Sequence, residues 1–237
     1  MKIIRSDTSF TVTDFKLNPK YSYRSYTRND NNGPRTYNVD DKKVPSVTTI
    51  ISGTQPKEKS EALDKWRERI GYQEADLITS QAARRGTEMH YVLEQYMSGQ
   101  GYLNLSDDGS LPRMMAHTII ENLDKLSEVY GTEINLAYDD RWAGSTDLVC
   151  VYDGKPTIAD FKQSNRPKRE EWIEDYFYQI AAYSLAHKKQ YGEITQGMIL
   201  VCTKDLVFQK FMMNEEMLSE YEEKWFAKVE DYHKGIK

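Results

Sequence analysis

The stretch Gly144-Ser145-Thr146-Asp147-Leu148-Val149-Cys150-Val151-Tyr152-Asp153-Gly154-Lys155-Pro156-Thr157-Ile158-Ala159-Asp160-Phe161-Lys162 reads as two strands joined by an Asp-Gly turn. With Asp153 and Gly154 as the central residues of a tight hairpin, the numbers of every facing pair sum to 307, so Asp147 comes opposite Asp160. Directly opposed side chains have Cβ atoms about 4.5 to 5.5 Å apart, and two ionised carboxylates at that spacing repel unless a cation lies between them. Lys162 follows Asp160 by two residues, so the strand period brings its ammonium to the same face. Two acids and a lysine on one face of a hairpin make the arrangement of a metal-dependent hydrolase.

Outward from this hairpin the chain divides by period. Glu133 to Tyr138, Gly144 to Val151 and Thr157 to Lys162 read as three consecutive strands. A long helix from about Lys168 to Tyr191, a strand at Gly197 to Cys202, a turn at Thr203 to Asp205, a strand at Leu206 to Phe211 and a helix from Glu215 to about His233 complete an α/β core with a mixed sheet. Ahead of it the periodicity is helical. Ser46 is an N-cap candidate after Val44-Pro45; Leu63, Trp66 and Ile70 recur at helical spacing; Leu77 through Met97 continues as helix. Met114, Ile120, Leu123, Leu126 and Tyr130 form a further stripe, with Gly131 in the C-terminal capping position. Residues 1–43 are polar and tyrosine-rich and read as irregular or short-stranded. The whole chain, 1–237, is expected to form one unit: an N-terminal extension over 1–43, a mainly helical part over 44–131 and the α/β core over 132–237.

Composition narrows the function. A hydrophobic fraction of 39% with 12% aromatics suits a packed domain. No apolar run reaches the roughly 20 residues that cross a bilayer, and Met1-Lys2-Ile3-Ile4-Arg5 lacks a signal-peptide core, so a cytoplasmic protein without membrane association is expected. Cys150 and Cys202 sit in apolar strands and read as buried thiols; two cysteines exclude a four-cysteine iron–sulfur cluster. The net charge of −5 argues against a generally basic nucleic-acid surface, yet Arg84, Arg85, Lys162, Arg166, Lys168 and Arg169 leave room for a local basic site. Arg84 and Arg85 read equally as phosphate contacts or as a solvated helix face. There is no Walker A pattern, so no ATP is expected.

His90, in Gly86-Thr87-Glu88-Met89-His90, has two readings: a packed histidine on the apolar side of a helix, or a third ligand joining the hairpin carboxylates. Gly86 favours the second, because a mid-helix glycine costs about 1 kcal/mol and commonly marks a close backbone approach. Gln179 and Tyr183, four apart on the following helix, either pack a tyrosine on the sheet or position a phosphate.

Taken in order, Gly86-Thr87-x-x-His90, Gly144-x-x-Asp147, Asp160-Phe161-Lys162 and Gln179-x-x-x-Tyr183 resemble the RecB-like branch of the PD-(D/E)XK nuclease superfamily. Pro45-Ser46-Val47-Thr48 and Trp66-x-x-Arg69 narrow the resemblance to the mitochondrial genome maintenance exonucleases and their phage relatives, over roughly residues 44–202. The resemblance implies a restriction-endonuclease-like core with a mixed central sheet flanked by helices and an N-terminal helical layer. It implies a metal-dependent DNA exonuclease acting on single-stranded ends in phage or genome DNA processing, recombination or repair, with a structure-selective endonuclease or a non-cutting DNA-binding subunit as alternatives. It assigns His90, Asp147, Asp160 and the Phe161 carbonyl to Mg²⁺ or Mn²⁺, Lys162 to catalysis beside Asp147 and Asp160, and Gln179 and Tyr183 to support of site and substrate. Lys162 would then orient or deprotonate the attacking water, or stabilise charge on phosphorus. Glu133 matches loosely as an additional acid. Trp66, on a helix that arches over the site, reads as core or as a stacking platform for a single strand. Replication or recombination proteins are the partners such a nuclease implies, in the host cytoplasm if the chain is phage-encoded.

Overall fold

The computed structural model describes residues 15–31, 33–100 and 110–235. The amino terminus, where no signal-peptide core is expected, lies outside them.

The central hairpin forms as its turn demands. β6 (Trp142–Tyr152) and β7 (Lys155–Ser164) pair antiparallel from Leu148↔Ala159 to Tyr152↔Lys155, the predicted register. Asp153 (φ 51°) and Gly154 (φ 74°) are both left-handed, as a type I′ turn requires. β5 (Leu126–Tyr138) flanks β6 on its other side, joined through Asp139 to Arg141 with Tyr138 facing Trp142. β8 (Gln196–Thr203) lies parallel to β7, and β9 (Phe208–Met213) antiparallel to β8. With β1 (Lys16–Leu17) parallel to β5, the described residues give a mixed six-stranded sheet in the order β1-β5-β6-β7-β8-β9.

Both faces of that sheet are covered, so its inner strands are apolar on both sides. Leu148, Cys150, Ala159, Phe161, Leu200 and Cys202 pack with Met89, Leu93, Met97, Met115 and Ile119 of α3 (Tyr72–Met97) and α4 (Leu111–Glu121). Val149, Ile158, Ile199 and Val201 pack with Ile50, Ile180 and Trp225 of α1 (Val47–Gly53), α5 (Glu174–Gln190) and α6 (Glu215–Gly235). Burial of these apolar side chains, at about 1.5 to 3 kcal/mol each, is the main force joining the helices to the sheet. The two cysteines are buried free thiols, as expected. Residues ahead of α1 form a small antiparallel sheet of β2 (Thr27–Asn29), β3 (Thr36–Val39) and β4 (Lys42–Pro45), which meets β6 at the bridge Ser46↔Ala143. Ser46 caps α1, its Oγ accepting from the Thr49 N–H at 3.0 Å. Among the described residues no helix is long and apolar enough to cross a membrane.

Two expectations are corrected. Leu126, Tyr130 and Gly131 belong to β5, because α4 stops at Glu121 in a turn over Asn122 to Lys125 and the residues beyond it pair with β6; Gly131 sits beside a bulge and caps no helix. The helix after β7 starts at Glu174, since Pro167 disfavours helix before it and the Gln209 side chain holds both the N–H and the carbonyl of Lys168. The helical spacing of Leu63, Trp66 and Ile70 is met by α2 (Lys57–Ile70), which buries none of its residues: Leu63 is 52% exposed and Trp66 half-buried.

Candidate active site

The strand alternation that turns Val149 and Ile158 toward α5 also puts Asp147, Asp160 and Lys162 on that face. The β5–β6 register brackets a third acid, Glu133, opposite Asp147, between Thr132↔Leu148 and Ile134↔Thr146. Asp147 on the middle strand is thus flanked by Glu133 on one neighbour and Asp160 on the other. Asp147 Oδ2 accepts from the Phe161 N–H at 2.6 Å, just beyond the last ladder pair, so its carboxylate spans the gap between β6 and β7. From α3, His90 brings Nδ1 to 3.5 Å from Asp147 Oδ1 and sets its ring edge-on to Phe161. One ligand atom each from His90, Glu133 and Asp147 lies within 4.8 Å of the others.

The electrostatics follow from crowding like charges in a dry place. Burial raises the Asp160 carboxyl, with the neighbouring Asp147 charge adding to it, while the Lys162 ion pair pulls the other way. Asp147 is held low: the imidazole of His90, the Lys162 ammonium and the Phe161 N–H outweigh its burial. Burial opposes charge on His90, yet Asp147 more than compensates and lifts the imidazole to about 9. Desolvation and the Asp147 charge raise Glu133, against a hydrogen bond from Ser145 Oγ at 3.1 Å. Lys162 pairs with Asp160 and lies 5.1 Å over the Tyr176 ring, its ammonium favoured by both aspartates.

Gln179 Nε2 donates to Tyr183 Oη at 3.1 Å, and the buried Tyr183 ring leans on Gly144. All of these residues, Phe161 included, line a cavity of about 800 Å³. Three sequence candidates fall elsewhere. Arg84 is exposed and paired with Glu88 one turn on; Arg85 is bound to the side chains of Gln163 and Asn165; Trp66 stays on α2. None of the three lines the cavity. The geometry adds cavity residues that sequence patterns did not single out: Arg28 and Arg35 from the small sheet, and Tyr91 and Glu94 from α3. Glu94 carried a signal, being one helical turn beyond His90; the arginines carried none, because the short strands at and after them lack periodicity.

A nitrogen from His90 and carboxylates from Glu133 and Asp147 within reach of one another, with Asp160 on the same wall, make a possible metal site. The chain is 31% identical over 205 residues to mitochondrial genome maintenance exonuclease 1 of Mus musculus and 28% over 204 residues to that of Homo sapiens. The chain resembles mitochondrial genome maintenance exonuclease 1. The match covers 80% of this chain and 59% of the mouse protein, 58% of the human one, so the chain spans less than two thirds of these exonucleases. The Xenopus tropicalis exonuclease is 27% identical over 215 residues, covering 81% of this chain and 58% of its own length. No family model matches. Among solved structures, that of SSO0001 aligns at a TM-score of 0.40 and 14% identity over 78% of this chain and 75% of that one.

Proposed function

We propose that this protein is a metal-dependent DNA exonuclease with a PD-(D/E)XK core over a single catalytic unit, hydrolysing phosphodiester bonds at single-stranded ends in phage or genome DNA processing. The observation that carries this reading is the convergence of His90, Glu133, Asp147 and Asp160 with Lys162 on one wall of the cavity. The resemblance to named exonucleases supports it. His90, Glu133, Asp147 and Asp160, with the carbonyl of Phe161, the next residue on β7, are the groups that would hold the cation. When bound, such a cation supplies Lewis-acid stabilisation of charge on the reacting phosphoryl group.

The protein's own groups do the rest. Lys162 keeps its proton and presents a cation within a buried pocket, where it orients the attacking water or offsets charge developing on phosphorus. Tyr176 beneath it and Asp160 beside it fix its direction. Tyr183, held by Gln179, packs its ring against the Gly144 backbone beside the acids. The exposed α2, with Leu63, Tyr72 and Leu77 of the α2–α3 pair all more than half exposed, offers apolar surface on which unpaired bases can stack.

The test is cleavage of end-labelled single- and double-stranded DNA with Mg²⁺, Mn²⁺ or EDTA, run beside a closed circular single strand and the same strand linearised. Metal-dependent loss of the linear strand with the circle intact is expected. Equal cutting of the circle would make the enzyme an endonuclease; no cutting with either metal would make the chain a non-cutting DNA-binding subunit.

A further inference from the structure

The cavity has a second wall that the acid cluster does not explain. Arg28 of β2 and Arg35, just before β3, project into it from the small sheet, with 53% and 42% of their side chains exposed. Both clasp Asp30 through Nε, at 2.8 and 2.7 Å. One acid between two guanidinium groups leaves a net positive charge, and each guanidinium carries more N–H donors than that contact consumes. Exposed ion pairs of this kind contribute little to stability, so fold maintenance alone does not account for two arginines converging on the cavity. The Arg35 backbone is fixed: its carbonyl accepts from the Ser46 N–H at 3.0 Å and from Thr49 Oγ1 at 2.7 Å.

Arg35 also marks a continuation. A second groove of about 840 Å³ shares Arg35 and Thr48 with the first and runs on along Thr49, Ser52 and Gly53 to Tyr232. An extended polyanion seated with one phosphate at the acid wall would meet the arginine pair next and hydroxyl groups beyond it. Planar guanidinium forks match phosphate oxygens, and the Ser52 hydroxyl can donate to them without reading a base, while the Thr49 hydroxyl stays on the Arg35 carbonyl.

We infer that Arg28 and Arg35 form a phosphodiester-binding subsite that grips the nucleic-acid backbone away from the cleaved bond, and that the bound strand leaves the active site past Arg35 along Thr48, Thr49 and Ser52. This rests on the nuclease reading above. It makes the arginines positioning residues: they set affinity and register, independent of sequence, while the chemistry stays with the acid wall and Lys162.

The experiment is steady-state cleavage of end-labelled single-stranded oligonucleotides by wild type, Arg28→Gln, Arg35→Gln and the double variant, with binding measured by anisotropy in Ca²⁺ across a salt series. For the double variant KM is expected to rise about tenfold with kcat within about twofold, and the slope of log affinity against log salt to fall by about 0.7 per arginine lost, the single-strand value. Arg28→Lys with Arg35→Lys keeps the charge without the fork and should give a smaller rise in KM. In wild type KM should drop as the strand is lengthened toward the roughly 4 to 16 nucleotides of single-strand sites, and the double variant should lose that gain. This length series needs no variant to fold for its first half: a wild-type KM independent of strand length already sinks the subsite. So does a wild type that cuts DNA while the variants keep its KM and salt slope. A wild type that neither cuts nor binds DNA overturns the nuclease reading and the subsite together.

Discussion

A Cβ built on Gly144 would lie 2.6 Å from Cε1 of Tyr183, closer than side chains pack, so the α5 tyrosine reaches the acid wall only because β6 offers bare backbone there. Tyr183 is buried and tied to Gln179, and its ring has nowhere to yield.

Gly144→Ala is therefore expected to destabilise the protein by about 1 to 3 kcal/mol, the usual range for overpacking, and to reduce cleavage by displacing Tyr183. Chemical denaturation measures the first part. In a double-mutant cycle with Tyr183→Ala the two penalties should fall short of additive, since removing the ring removes the clash.

Lys162→Ala should lower kcat by about 10² to 10³, the loss seen when a group that stabilises transition-state charge is deleted. It also strands the Asp160 carboxylate in a buried site, and breaking a buried pair costs about 3 to 5 kcal/mol. Thermal melts beside rapid-quench kinetics separate the two effects. Turnover near wild type in a folded Lys162→Ala variant would remove Lys162 from the mechanism.

The pH dependence of metal-free stability follows from His90. Its imidazole is lifted from an ordinary value near 6.5 to about 9 by Asp147, so the native state keeps a proton that the unfolded chain loses. The stabilisation is complete below pH 6.5 and is lost as pH rises through about 9. Denaturation midpoints in EDTA should fall across that window for wild type and stay flatter for His90→Gln.

Cation binding must displace that same proton, so affinity for Mn²⁺ should rise with pH over the same window, with proton release visible as a buffer-dependent heat in calorimetry. Glu133→Gln, Asp147→Asn and Asp160→Asn should each weaken binding. Unchanged affinity in all three would place the cation elsewhere.

The hairpin was fully legible because its turn chemistry and alternation agree: Asp153-Gly154 dictates the register, and the register dictates which residues face each other. Glu133 is within reach by the same logic, since it opens the predicted strand Glu133 to Tyr138, although the residues ahead of it carry a helical stripe through Tyr130. A stripe at three- and four-residue spacing persists by chance across the α4–β5 turn, and pairing with β6 decided the matter. Trp66 and Leu63 show the converse failure, since periodicity reports an amphipathic face without saying what covers it. Arg28 and Arg35 were invisible for another reason. Arg28 lies on a strand of three residues and Arg35 just ahead of one of four, held in place by contacts to Ser46, Thr49 and β6 that no local pattern encodes.

Glu133, Asp147, Asp160 and Lys162 all lie on one uninterrupted meander, β5 to β7, closed by two short loops. In time rather than space, this means that the negative cluster assembles from neighbours in sequence, before partners as distant as His90 and Tyr183 need arrive. The meander is therefore expected to form early despite its self-repulsion, and a divalent cation present during refolding should accelerate the folding limb as well as slow unfolding.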